Sequence, residues 1–197
     1  NGGIGYTSAP TVTLLGGGAP TAAATNSGTI ANGGTVNFSA ATGAFGARTS
    51  YGQFNVTSNT VTINETQTIN LGNMTTNSLT VNSTAGNILF TGHTTSNTVT
   101  ANANAGGITQ VGALNIASTS TFRSGNAFST VLENPSNSFG GAVTLTQGLN
   151  NIIVSGSNFS LAAATCLSAA NGTTTIRTVD TVNNQITILG GNASGTT

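Results

Sequence analysis

The chain has 197 residues and six charged side chains, three arginines and three acids, for a formal net charge of zero. Arg48, Arg123 and Arg177 are too few and too scattered for the cationic footprint that nucleic-acid phosphates or anionic lipid demand. No stretch approaches the run of about 18 apolar residues that a membrane span needs.

Charged residues make up 3% of the chain, where an ordinary soluble domain carries about a quarter. The surface must therefore be built from Thr, Asn, Ser and Gly. Such a surface lacks the like-charge repulsion that keeps copies apart, so it favours self-association.

Taken in chain order, the predicted elements are all strands. Residues 1–54 hold Thr11-Val12-Thr13-Leu14 and Thr35-Val36-Asn37-Phe38 between Gly-rich turns. They lack the repeat found further on and read as an N-terminal β module or cap. Residues 55–197 read as solenoid repeats. Val61-Thr62-Ile63, Leu79-Thr80-Val81, Val99-Thr100, Leu114-Asn115-Ile116, Val143-Thr144-Leu145 and Ile186-Thr187-Ile188 alternate apolar with polar residues. Period-two alternation puts one face of a strand inward and the other outward. Turn signals such as Gly106-Gly107, Gly140-Gly141 and Asn171-Gly172 separate the runs. The single helical candidate is the apolar stretch 161–170, which ends at Asn171-Gly172.

Writing residues 71–90 above residues 91–110 reveals a repeat in which eight of 20 positions are identical. Gly72/Gly92, Asn77/Asn97, Asn82/Asn102, Gly86/Gly106 and Ile88/Ile108 are among them, and Leu79/Val99 keeps its apolar character. A third copy opens at Val111-Gly112 and then shortens. A 20-residue offset suits one turn of a parallel β-solenoid, whose strands stack about 4.8 Å apart. Asn77 would then lie on Asn97 and Asn82 on Asn102, with amides bonding along the axis. Leu79, Val99, Ile88 and Ile108 would point inward, and Ala85/Ala105 with Gly86/Gly106 would form corners. At about 20 residues per turn the whole chain makes about ten turns, on the order of 48 Å. An antiparallel β-sandwich is the alternative, since it too has short, closely spaced strands. It gives no reason for adjacent 20-residue segments to match.

Three stretches carry a resemblance. Residues 134–146 (NPSNSFGGAVTLT) and residues 108–116 (ITQVGALNI) resemble rungs of filamentous-haemagglutinin-like adhesins and autotransporter-associated β-strand repeat proteins. Residues 3–13 (GIGYTSAPTVT) are similar to a repeat of large secreted surface proteins. The resemblance implies a right-handed parallel β-helix, export to the cell surface or beyond, and a structural role. It carries over no catalytic residue.

Candidate chemistry is sparse. Glu65, Glu133 and Asp180 lie far apart among neutral neighbours, where glycan-cleaving sites need paired carboxylates. They read as solvated or locally hydrogen-bonded. His93 takes the slot of Asn73 in the repeat and reads as an exposed turn position. One His and one Cys, Cys166, cannot fill a metal site. Cys166 reads as a buried, inert thiol. No cofactor is expected, and the chain is read as a non-enzyme. Asn-x-Ser/Thr sequons, Asn55, Asn64, Asn73 and Asn82 among them, follow from composition. Thr-x-Thr triplets occur at Thr11/Thr13, Thr60/Thr62, Thr98/Thr100, Thr144/Thr146 and Thr173/Thr175, but their spacing is uneven and Leu79-Thr80-Val81 interrupts them. A flat threonine ladder is therefore not expected. The expected role is a module of a cell-surface fibre or extracellular filament, with the chain itself as partner. The alternative is an adhesin whose polar face binds glycans, helped by Tyr6 or Tyr51.

Overall fold

The computed structural model describes residues 12–14, 35–39, 54–156, 159–165, 173–178 and 186–188. They form an all-β parallel solenoid of about five full turns, roughly 20 residues each, extended at both ends by further strands. Every strand pair is parallel, which excludes the antiparallel sandwich. No helix occurs among the described residues; residues 161–165 of the helical candidate belong to strand β14, Phe159–Thr165, and its residues 166–170 lie outside the described residues.

Each full turn has three faces. The first face stacks the start of β4 (Ile69–Ser83), then β5 (Ile88–Phe90), β7 (Ile108–Gln110), β10 (Thr130–Leu132), β13 (Asn150–Ser155) and β15 (Thr173–Thr178). The second stacks the middle of β4, the start of β6 (Thr94–Ala103), β8 (Leu114–Ile116) and β11 (Ser138–Phe139). The third is the longest. It runs from β1 (Val12–Leu14) and β2 (Thr35–Ser39) through β3 (Phe54–Glu65) and the ends of β4 and β6. It continues to β9 (Ser120–Ser124), β12 (Ala142–Thr146), β14 and β16 (Ile186–Ile188). β1 and β2 thus pair in the same parallel sense as the strands that follow them.

The alternation predicted from sequence fills the tube. On the third face Val61, Leu79, Val99, Ser120 and Val143 form one inward column, and Ile63, Val81, Ala101, Phe122 and Leu145 form another. On the first face Ile69, Ile88 and Ile108 stack and are fully buried. Each such side chain contributes about 1.5–3 kcal/mol by leaving water. Three rings join the faces across the core. Phe122 on the third face meets Phe90 on the first and Phe139 on the second, both edge-on with centroids 6.4 Å apart. The small Ala101 beneath Phe122 leaves room for that ring.

The corner between the first two faces is fixed by glycine. A Cβ on Gly92 would sit inside the backbone of Gly72, and one on Gly112 inside the carbonyl of Gly92. Main-chain bonds continue the ladder around the corners, as in Ile88 N to Gly107 O at 2.9 Å and Ile108 N to Ser129 O at 3.0 Å.

Rung length varies, while the third-face pairings hold register from β3 through β12 and shift by one residue between β12 and β14. Leu79 pairs with Val99, Val99 with Ser120, and Ser120 with Val143, at offsets of 20, 21 and 23 residues. The extra residues of these rungs sit between strands. That is why the whole-chain expectation of uniform 20-residue turns fails toward the ends. Val12 to Val36 and Val36 to Val61 are separated by 24 and 25 residues.

Candidate functional site

The outward positions of the third face form a grid. Its central column is Thr62, Thr80, Thr100, Thr121 and Thr144, paired one above the other on five consecutive rungs. A flanking column holds Thr60, Ser78 and Thr98. On the other flank run Asn64, Asn82, Asn102, Arg123 and Thr146. A threonine column thus exists where none was expected, although the triplets themselves do not all align: Thr60/Thr62 and Thr98/Thr100 share two columns, Thr144/Thr146 is displaced by one column, Thr173/Thr175 lies on the first face, and Thr11 lies outside the described residues. The uneven sequence gaps belong to the corners, and the row at Leu79 is Ser78-Leu79-Thr80. All members of the central column are half-buried, as stacked neighbours cover each other's flanks. None of their hydroxyls bonds to another described residue.

The asparagine column behaves differently, because its polar atoms are consumed internally. Asn102 Nδ2 donates to Asn82 Oδ1 at 2.8 Å, and Asn82 Nδ2 donates to Asn64 Oδ1 at 2.7 Å. Asn77 and Asn97 occupy equivalent exposed corner positions between the paired residues Thr76/Ser96 and Ser78/Thr98. Leu79 pairs with Val99 and Ile88 with Ile108, all four buried.

Further asparagines bond to the main chain of the next rung. Asn55 Oδ1 accepts from Asn73 N at 2.8 Å, and Asn73 Oδ1 accepts from His93 N at 3.0 Å. The ring of His93 lies exposed, 3.3 Å from the Asn115 amide. Asn87 Oδ1 accepts from Gly107 N at 2.8 Å. Four of the sequon asparagines, Asn55, Asn64, Asn73 and Asn82, are therefore held in ladder bonds.

Asn137 is the most connected polar group in the interior. Its Oδ1 accepts from Leu114 N at 2.9 Å and from Gln110 Nε2, and its Nδ2 donates to Val154 O at 2.9 Å and Gln110 Oε1 at 3.0 Å. It stands at the inward position above Leu114, where a purely apolar residue would orphan a buried N–H and a buried carbonyl. Asn151 does the same for Thr130 N, at 3.0 Å. Sequence reading missed both, since one asparagine among so many carries no distinguishing signal.

Of the acids, the two that are described, Glu65 and Glu133, do not meet in a groove. Glu133 is exposed at a corner. Glu65 is buried, against the expectation of a solvated carboxylate, because it continues the inward series Val61, Ile63. Its Oε2 has no partner, and burial raises its carboxyl above the ordinary value of 4.5. Among the described residues no cluster of three or more His, Cys, Asp or Glu exists. Asp180, Cys166, Arg48, Tyr6 and Tyr51 lie outside the described residues.

Residues 89–146 match a family model described as repeats of unknown function (DUF5649). The match covers the part of the solenoid from β5 to β12. No curated protein and no solved structure matches the chain. Over that segment the chain is thus similar to a family of repeats, and its own repeats are rungs of the parallel β-solenoid.

Proposed function

We propose that the chain is a structural module of a secreted surface fibre or extracellular filament, joined to further copies without covalent links by main-chain strand pairing. The observation that carries this reading is that, among the described residues, the end strands of the ladder are paired along one edge alone. Among the described residues β1 pairs only with β2, and β16 only with β14. An unpaired strand edge is a template for another strand. The near absence of charge removes the usual barrier to such pairing. The resemblance of residues 108–116 and 134–146 to rungs of filamentous-haemagglutinin-like and autotransporter-associated proteins supports export and a surface location.

Electron microscopy of the purified chain over a range of concentrations tests the proposal. Uniform fibres are the expected result, and Thr13→Pro in the edge strand β1 should shorten or abolish them by removing a main-chain donor. A monodisperse monomer at high concentration that binds a glycan saturably would replace the fibre reading with the adhesin one.

A further inference from the structure

We infer that the threonine grid of the third face binds the surface of ice. The inference goes beyond a scaffold role and rests on a different part of the molecule from the edges that join copies.

The grid is a lattice rather than a patch. Thr62, Thr80, Thr100, Thr121 and Thr144 repeat from rung to rung, and Thr60, Ser78 and Thr98 repeat beside the first three of them, two residues back along β3, β4 and β6. Rungs of a parallel sheet lie about 4.8 Å apart, and alternate residues along a strand about 6.6 Å apart. Hydroxyls and methyls are therefore offered in two dimensions with fixed spacing. Threonine is stiff at χ1, and stacked neighbours restrict it further, so little freedom is left to lose on binding. One hydroxyl contact is weak. Many contacts in register add up, but only for a ligand that repeats on the same scale in both directions. A flexible glycan chain engages a few sites and cannot engage the array.

The chemistry of the face narrows the occupant. The central column is uncharged, and among the three outer columns only Arg123 carries charge. A cationic ligand therefore finds no counter-charge, and an anionic one finds a single cation at the margin, Arg123. The aromatic residue of the face in these rungs, Phe122, is fully buried inside the tube, so sugar rings find no platform on which to stack. The hydroxyls of the central column are not spent on protein partners, whereas the Asn82 and Asn102 amides are. A neutral, rigid, two-dimensional array of free hydroxyls and methyls complements a neutral solid of hydrogen-bonded oxygens, which is ice.

The test is slow growth of ice from a dilute solution of the full chain, together with an assay of ice recrystallisation. The wild-type chain should enter the ice and block recrystallisation. Thr100→Tyr at the centre of the grid should raise the blocking concentration at least about tenfold, since one protruding ring lifts its neighbours off a flat surface. Thr95→Tyr, at an outward position of the second face, should leave it unchanged. Circular dichroism and thermal melting report whether each variant folds, and Thr62→Tyr, two rungs away, serves if Thr100→Tyr does not. Exclusion of the wild-type chain from ice overturns the inference. So does equal activity of T100Y, a T100Y-sensitive binding to insoluble cellulose or chitin without an effect on ice, or a T100Y-sensitive dimer without one. Fibres seen or not seen by microscopy bear on the filament reading alone.

Discussion

Asn82 sits directly between Asn64 and Asn102, donating an amide N–H to Asn64 Oδ1 at 2.7 Å and accepting at its own Oδ1 from Asn102 Nδ2 at 2.8 Å. Substitution at Asn82 therefore removes two bonds, and substitution at Asn102 removes the one to Asn82. A half-exposed hydrogen bond is worth about 0.5–1.5 kcal/mol. Asn82→Ala should destabilise by about 1–3 kcal/mol and Asn102→Ala by about half as much. Urea denaturation of the two variants checks the ratio, and equal losses would contradict a bonded column.

Asn137 has a different position in the energetics, because its partners are buried main-chain groups. Asn137→Ala leaves Leu114 N and Val154 O without partners inside the tube. Each orphaned group costs about 1–3 kcal/mol, so the loss should reach about 3–5 kcal/mol. Asn137→Asp is the sharper probe. It keeps an acceptor for Leu114 N but loses the donor to Val154 O, and should not rescue stability. Thermal unfolding distinguishes the three proteins.

Glu65 makes stability depend on pH. Burial raises its carboxyl above the ordinary value in the folded state, so the folded chain holds the proton more tightly than the unfolded chain. Stability is then greatest below the ordinary carboxylate range. It falls as pH rises through the raised folded value and levels off above it. Glu65→Gln should remove that fall, leaving the variant more stable than wild type at pH 7 and close to it in acid. Urea midpoints on either side of the transition measure it, and a parallel pH profile for both proteins would contradict it.

Phe122 touches both other faces through its ring. Phe122→Ala opens a cavity where three faces meet and should cost about 3–5 kcal/mol. Ala101→Val places extra methyls beneath the same ring and should cost about 1–3 kcal/mol by overpacking. Leu145, the residue above Phe122, tolerates Met by comparison. Denaturant titration of the three variants orders them.

The period-two runs and the 20-residue self-match made most of the fold legible before any coordinates. Leu79 over Val99 and Ile88 over Ile108 follow from the same offset that aligns Gly72 with Gly92. Glycine at these corners had a physical reason visible only in three dimensions, the passage of one backbone against the next. The threonine grid was hidden because corners absorb insertions. Thr100 to Thr121 and Thr121 to Thr144 are 21 and 23 residues apart, and no fixed period finds them. Glu65 was legible in principle, since it occupies the third inward slot after Val61 and Ile63. The expectation that acids are solvated outweighed that signal. Asn137 and Asn151 were not legible, since their importance lies in main-chain groups of neighbouring rungs. Within the helical candidate 161–170, residues 161–165 are strand because they pair with β12.

The main-chain bonds between rungs run along the tube rather than across it, and each coil is tied to the next by one covalent strand. Stretching the molecule by its two extremities therefore opposes one coil's bonds at a time, like drawing thread from a spool. Such a coil releases about 70 Å of slack when its roughly 20 residues straighten. A fibre of these units would give way in small, reversible increments under load, lengthening before it snaps.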